Sequence, residues 1–296
     1  MSTVPKDFKV PVGKSIDLKT YATEWFPPWA NDQKQKILKQ RALALLEDNR
    51  QKLVTNQELL WASDTYALLI ILQGMDAAGK DSAIRRVMSG VNPQGCVVVS
   101  FKTPCEKELD HDFLWHYHNA LPERGCIGIF NRSYYEEVLI VKVRPEVLRK
   151  QQLPPHDGGD VFWNQRYEDI ALFERYLVRN GTVVLKFFLH ISKKEQKQRL
   201  LKRLKNPDKY WKFSLADLAE RSKWPQYQEA YEEMLSKTST EWAPWYIIPA
   251  DKKWVAHALI SQIIVNQIQK LDLKYPPVSD AQRETLAKAK RTLEKE

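Results

Sequence analysis

The stretch "ALLIILQGMDAAGKDSAIRRVM" (67–88) restricts the fold more than any other part of the chain. An unbroken apolar run ends at Gly74, four residues intervene, and Gly79-Lys80 opens a segment with helical spacing. Glycine at those two places lets the backbone turn tightly from strand to helix, so that several N–H groups converge on one point. The start of the helix adds a partial positive charge, and Lys80 adds a mobile ammonium. Such a turn holds phosphate. Gly74, Ala77, Ala78, Gly79, Lys80, Asp81 and Ser82 are the expected cradle, with Lys80 serving the phosphoryl group in flight.

Two carboxylates interrupt this pattern. Asp76 sits inside the loop, and Asp81 stands directly after the lysine, where Ser or Thr is usual. Ser82 is displaced by one residue, about 100° around a helix. A bare carboxylate about 4 Å from a phosphate repels it by about 4 kcal/mol at an effective dielectric near 20. A cation between them reverses the sign. Mg²⁺ takes one or two carboxylates and fills its remaining positions with phosphate oxygens and water. Asp76 is therefore the expected Mg²⁺ ligand. Asp81 either assists the metal through water or stabilises a helix N-terminus.

The rest of the chain supplies the sheet. "CVVVSFK" (96–102), "CIGIFN" (126–131), "TVVLKFFL" (182–189) and "WYIIPA" (245–250) join residues 67–73 as five apolar strand candidates. Helical patterns lie near 80–91, 108–121, 134–142, 163–180 and 193–205. This alternation predicts an α/β fold: a five-stranded parallel sheet with helices on both faces. One domain over 1–296 is expected, with an aromatic arm and amphipathic helix in 1–60. A Pro/Gly-rich excursion covers 144–160, a helical lid 206–243, and a Lys/Glu-rich tail 274–296.

"CIGIFNRSYYEE" (126–137) is the second signal. A nucleoside triphosphatase usually ends this strand in Asp, a metal ligand, but here it ends in Asn131. Arg132 follows at the carboxyl end of the sheet, where its planar fork suits phosphate. Glu136 and Glu137 open the next segment. The alternative is that Asn131 and Ser133 are caps and Arg132 a surface residue. Arg166 either reaches phosphate or pairs with Glu168 and Asp169 nearby. The histidines of "DHDFLWHYH" (110–118) are two apart and share no helix face, so they predict no metal site.

The net charge of +9 favours a polyanionic partner. Residues 193–212 hold nine basic and two acidic side chains, so an excess of seven lies in one segment. On the helix expected there, Leu200, Leu201 and Leu204 form one side and Arg199, Lys202 and Arg203 another. Lys209, Trp211 and Lys212 follow at the base of the lid. A long linear polyanion needs such a charged channel, and one nucleotide does not; the alternative is a solvated face. No stretch is long and apolar enough to span a bilayer, and the N-terminus has no apolar signal core. Three cysteines form no paired framework, which fits a reduced, cytoplasmic setting. No nucleic-acid-binding motif accompanies the aromatics. The aromatic N-terminal arm suggests self-association.

The runs "GMDAAGKDSAIRRVMSGVNPQG", "FKTPCEKELDHDFLWHYHNALPERG", "FNRSYYEEVLI", "HISKKEQKQRLLKRLKNPDKYWKFS" and "TSTEWAPWYIIPADKK" resemble the second family of polyphosphate kinases. The resemblance spans roughly Lys6 to Leu271. It implies a P-loop kinase core with a helical lid, a dimer or tetramer, and Mg²⁺-dependent phosphoryl transfer between inorganic polyphosphate and purine nucleotides. It implies that Asp76 and Lys80 serve metal and phosphates, and that Arg132, Arg199 and Arg203 steady the phosphates. Asn131 is similar to the subgroup taking AMP as well as ADP, and GMP and GDP likewise, whereas the larger subgroup has Asp there. Lys202 and Lys209 belong to the expected polyphosphate track, and Asn131, Glu136, Glu137 and Arg166 to the nucleotide side. Two other readings remain: an ATP-dependent nucleoside or nucleoside-monophosphate kinase of the same fold, and a non-catalytic polyanion-binding module.

Overall fold

Strand β1 (Ala67–Gln73) is buried at all seven positions, as a central parallel strand covered on both faces must be. In the computed structural model, which describes residues 8–27 and 35–296, it forms the middle of a five-stranded parallel sheet. The order is β2-β3-β1-β4-β5, with β2 at Cys96–Ser100, β3 at Ile127–Asn131, β4 at Thr182–His190 and β5 at Trp245–Pro249. Leu72 of β1 aligns with Asn131 on one side and with Phe187 on the other. The chain leaves β1 towards β2 and returns through β3 before crossing to β4. The topological switch point therefore lies at the carboxyl ends of β1 and β3, where ligands bind in such sheets.

Helices α1 (Gln35–Ser63) and α2 (Lys80–Val87) cover one face, and one-turn helices α3 (Glu106–Leu109) and α4 (Trp115–His118) link β2 to β3. Between β3 and β4 come α5 (Ile140–Val143), α6 (Pro145–Leu148) and α7 (Asp160–Arg179). After β4 come α8 (Lys193–Leu204), α9 (Leu215–Ser222) and α10 (Trp224–Thr238). Beyond β5 lie α11 (Lys253–Gln269) and α12 (Asp280–Leu293). Helix α11 packs with α1 and α2, while α7 and α10 cover the opposite face. One apolar core runs from Phe8 to Ile268.

Several sequence expectations are corrected. The 108–121 helix is interrupted, because Asp112 Oδ1 accepts from Leu114 N (2.9 Å) and competes with a continuous helical ladder. The 134–142 helix begins as a 3₁₀ turn, Tyr134–Val138, capped by Ser133. Strand β2 is shorter than expected, and as an edge strand it leaves Val97 and Val98 51% and 47% exposed. Helix α10 buries Tyr227, Ala230, Tyr231, Met234 and Leu235, so it belongs to the core; the superficial part of the expected lid is the 3₁₀ turn Pro207–Lys212 with α9. In the N-terminal arm, Trp25 meets Phe8 edge-on and Phe26 meets Trp254, so these aromatics pack on the chain's own body. Pro28 to Ala30 of that arm lie outside the described residues. Val10 N donates to Trp245 O (2.9 Å) and covers the β5 edge.

One charged pair lies in this core. Lys186 on β4 and Glu174 on α7 are both fully buried, with Nζ 2.6 Å from Oε2. Lys186 also donates to Tyr135 Oη (2.8 Å) and to Thr238 O (2.7 Å). The hydroxyls of Tyr134 and Tyr135 both donate to Glu174 Oε1, at 2.9 and 2.8 Å. Two consecutive tyrosines aimed at one oxygen fix the turn that also carries Arg132 and Glu136. Removing one ion of such a pair strands the other in a dry interior. Lys186→Met is expected to cost about 3–5 kcal/mol, and Lys186→Met with Glu174→Gln, which removes the stranded charge and keeps an acceptor for the two tyrosines, to recover part of it, as read from urea unfolding.

Candidate active site

The loop after β1 turns where no side chain fits. Gly74 has φ +148°, and a Cβ there would stand 2.8 Å from Leu189 O at the end of β4. Gly79 has φ +114°, and Ala77 is held at φ +63°, a conformation unusual for alanine. Helix α2 starts at Lys80, whose buried ammonium donates to Gly74 O (2.5 Å) and Met75 O (3.4 Å). Burial, then the nearby Arg132 charge, holds the Lys80 pKa below its usual value, while Asp76, Glu136 and Asp81 oppose this.

The acidic side chains answer these cations. Arg132, itself at φ +66° past the end of β3, donates from Nη2 to Asp76 Oδ1 at 2.9 Å. Glu136, then Asp76, raises the Arg132 pKa against its burial. Burial in turn pushes the Glu136 carboxyl up, with Arg132 and Lys80 pulling it down. With the Gln73 amide turned to suit its neighbours, its nitrogen donates to Glu136 Oε1 (3.1 Å). Asn131 Nδ2 donates to Asp81 Oδ1 (2.8 Å), so the residue replacing the usual strand-end aspartate is tied to the residue replacing the usual hydroxyl.

The structure gathers Gly74, Asp76, Ala77, Ala78, Gly79, Lys80, Asp81, Asn131, Arg132 and Glu136 at the switch point. It places other expected residues elsewhere. Ser82 Oγ donates to Gly79 O (3.0 Å) and lies 3.2 Å from His257 Nε2 on α11, which orients it behind the loop. Glu137 accepts from Gln151 Nε2 (2.7 Å) and from Arg166 Nε (3.2 Å). Arg166 takes the pairing alternative: its guanidinium lies 4.7 Å from the Phe113 ring and 4.8 Å from that of Phe162. Glu137 is a more intimate partner than Asp169 (3.7 Å). Arg199 is occupied within the protein: Nε, Nη1 and Nη2 make five hydrogen bonds, one to Glu195 and four to backbone carbonyls. Lys202 and Lys209 are exposed on and beyond α8, and Arg203 Nη1 meets Asp217 Oδ2 of α9 at 3.2 Å.

Sequence reasoning missed Asp217. Burial and the charge of Asp76 raise its pKa, against Arg203 and Arg132, so α9 brings a further carboxylate to the loop mouth. Its sequence signal was slight: an acid at N3 of a short helix after Ser214, which caps that helix. Among the described residues, no group of three or more His, Cys, Asp or Glu side chains converges on a metal position. That donor set fits Mg²⁺ held with substrate phosphates, which asks for only one or two carboxylates, and it does not fit a cage built of protein alone. Asp76 is the carboxylate inside the loop.

A parallel sheet of this order, with a glycine turn and buried lysine at the switch point, defines a P-loop phosphotransferase of the kinase class. The model of the polyphosphate kinase 2 family matches residues 36–276, and the chain belongs to that family. It is 46% identical over 294 residues to the ADP-polyphosphate phosphotransferase of Rhodopseudomonas palustris, covering 99% of both chains. It is 49% identical over 238 residues to the AMP/ADP-polyphosphate phosphotransferase of Meiothermus ruber, covering 80% of this chain and 85% of that one. Polyphosphate kinase 2 from Arthrobacter aurescens TC1 superposes with a TM-score of 0.82 at 36% identity, over 94% of this chain and 95% of that one. No helix among the described residues is long and apolar enough to cross a membrane.

The His257–Ser82 contact gives the site an acid limit. Burial, with Lys253, Arg86, Arg199 and Arg85 around it, lowers the His257 pKa to about 4. The unfolded chain takes up that proton near pH 6.5, so stability is full above 6.5 and is lost as pH falls towards 4. At about 1.4 kcal/mol per unit, the loss approaches about 3 kcal/mol. Urea midpoints at pH 7 and 4.5 are expected to fall for the native chain and to fall less for His257→Gln.

Proposed function

We propose that this polyphosphate-dependent nucleotide phosphotransferase accepts both AMP and ADP, and their guanine counterparts, with Mg²⁺ held by Asp76. The ion pair of Asp76 with Arg132 at 2.9 Å, beside the buried Lys80, carries the reading. It puts one carboxylate and two cations at the point where β1 and β3 diverge. Asn131, in place of a strand-end aspartate, supports the wider nucleotide range that the family resemblance implies. The relatives acting on ADP and on AMP/ADP support both acceptors.

The residues divide the work by charge. The loop N–H groups and Lys80 hold the oxygens of the transferred group, and the Arg132 fork, 40% exposed, spreads its charge over a neighbouring phosphate. Mg²⁺, when bound, would supply charge neutralisation between Asp76 and the phosphate oxygens. Lys202 and Lys209, exposed beyond the cradle, track the remainder of a polyphosphate chain. An oxygen of the acceptor's terminal phosphate attacks the end phosphorus of polyphosphate in line, the phosphoanhydride P–O bond opposite breaks, and polyphosphate shorter by one unit leaves, so no covalent intermediate with the protein is needed.

The test is a matrix of polyphosphate and ATP as donors against AMP, ADP, GMP and GDP. Polyphosphate with AMP is expected to yield ADP and then ATP. A preference for ATP over polyphosphate at equal phosphate concentration would establish the nucleotide-kinase alternative instead. Lys80→Ala is expected to lower kcat by about 10²–10³-fold or more while leaving the urea midpoint close to that of the native chain. Asp76→Asn is expected to lower kcat similarly and to raise the Mg²⁺ concentration needed for half-maximal rate. An unchanged Mg²⁺ requirement rules out Asp76 as the ligand.

A further inference from the structure

Three consecutive carbonyls of the phosphate loop are bound from one side by a single helix. Gln196 Nε2 of α8 donates to Asp76 O at 3.0 Å. Arg199 Nη1, one turn further, donates to Ala77 O (3.0 Å) and Ala78 O (2.7 Å). Its Nη2 donates to Ala250 O (2.6 Å) and Asp251 O (3.1 Å), past the end of β5. Its Nε donates to Glu195 Oε1 at 2.9 Å. A guanidinium has five N–H donors, and five bonds are made here by a side chain only 7% exposed. Peptide planarity then fixes the other side of the loop. With the carbonyls of Asp76 and Ala78 turned to α8, the N–H groups of Ala77 and Gly79 point away from it.

We propose that Arg199 is a positioning residue: it holds the loop carbonyls from beneath, keeps the amides turned towards phosphate, and does not itself contact polyphosphate. The bonds to Ala250 and Asp251 tie the same guanidinium to the β5 end, so the loop is registered against that strand end as well. Asp251 is itself anchored, since its Oδ1 accepts from Ser192 N (2.8 Å) and its Oδ2 from Thr23 Oγ1 (2.9 Å). Gln196 is fixed in turn by Arg221 Nη1 of α9, which donates to its Oε1 at 2.6 Å. The superficial helix α9 therefore reaches the loop carbonyls through Gln196. A lysine at 199 keeps the charge and loses the fork, having three donors on one rotating nitrogen.

This inference rests on the phosphotransferase reading, and its test separates the two. Arg199→Lys, assayed with AMP and polyphosphate, is expected to lose at least about tenfold in kcat. Displacements of the order of 1 Å have such costs. The KM for polyphosphate should stay within about twofold, and its salt dependence should not change. Hydrogen exchange at residues 74–80 should speed up in the variant without substrate present. A raised KM with unchanged kcat and a shallower salt dependence would make Arg199 a phosphate ligand and overturn the proposal. Unchanged kcat and exchange would overturn it equally. Should Arg199→Lys fail to fold, Glu195→Ala, which frees one of the five donors at a half-buried site, decides: a smaller kcat loss at constant KM supports the clamp, and no change rejects it. If the native chain turns over no polyphosphate, the functional reading fails, while the exchange measurement still judges the clamp.

Discussion

The approach of the Gly74 backbone to the Leu189 carbonyl governs the site. Any side chain at Gly74 would meet that oxygen at 2.8 Å, so the loop can leave β1 this tightly only through glycine. That closeness brings the loop against the end of β4, and so against α8, which grows out of the same strand. Lys80 then folds back onto the Gly74 and Met75 carbonyls of its own loop. The tight turn of the loop is a consequence of this packing between β1 and β4, not a property of the loop sequence in isolation.

How much of this the sequence carries depends on the range of each interaction. The glycine spacing, the Ser192 cap opening α8 and the apolar strands are local patterns, and all are read from adjacent residues. Helix α11 escaped because it is apolar all round: it buries eleven side chains from Val255 to Ile268 and shows no amphipathic stripe to count. Lys186 was visible as a lone charge inside "TVVLKFFL", yet its partner Glu174 lies on another element and only the fold joins them. Arg199 shows the same limit more sharply. Helical spacing groups it with Lys202 and Arg203, but four of its five bonds go to carbonyls about fifty and about 120 residues away in sequence. Arg166 has Glu168 and Asp169 beside it in sequence, yet its shorter ion pair is with Glu137, the more remote carboxylate.

The basic helix α8 therefore has two functions divided by burial. Arg199 and Gln196, on its inner side, hold peptide carbonyls of the loop. Lys202, exposed, retains its charge for solvent or a polyanion. Charge count alone cannot separate these roles, because a guanidinium bonded to carbonyls still contributes its full unit to the net charge. The long-range field stays positive while the short-range geometry is spent on the protein's own backbone.

The two carboxylates of the loop region acquire a physical explanation once α9 is included. Around the mouth stand Asp76, Asp81, Glu136 and Asp217 against Lys80, Arg132 and Arg203. Without these acids, the buried ammonium and its arginine neighbour would repel each other in a partly dry crevice, and the Lys80 charge would be still less favourable than it is. The acids make the cations tolerable in that crevice. Arg132 is held at Asp76 and Arg203 at Asp217, each by a contact near the surface and not in the core. Arg203 links α8 to α9, and Asp217 also feels Asp76. The first pair joins the end of β3 to the loop, and the second joins α8 to α9.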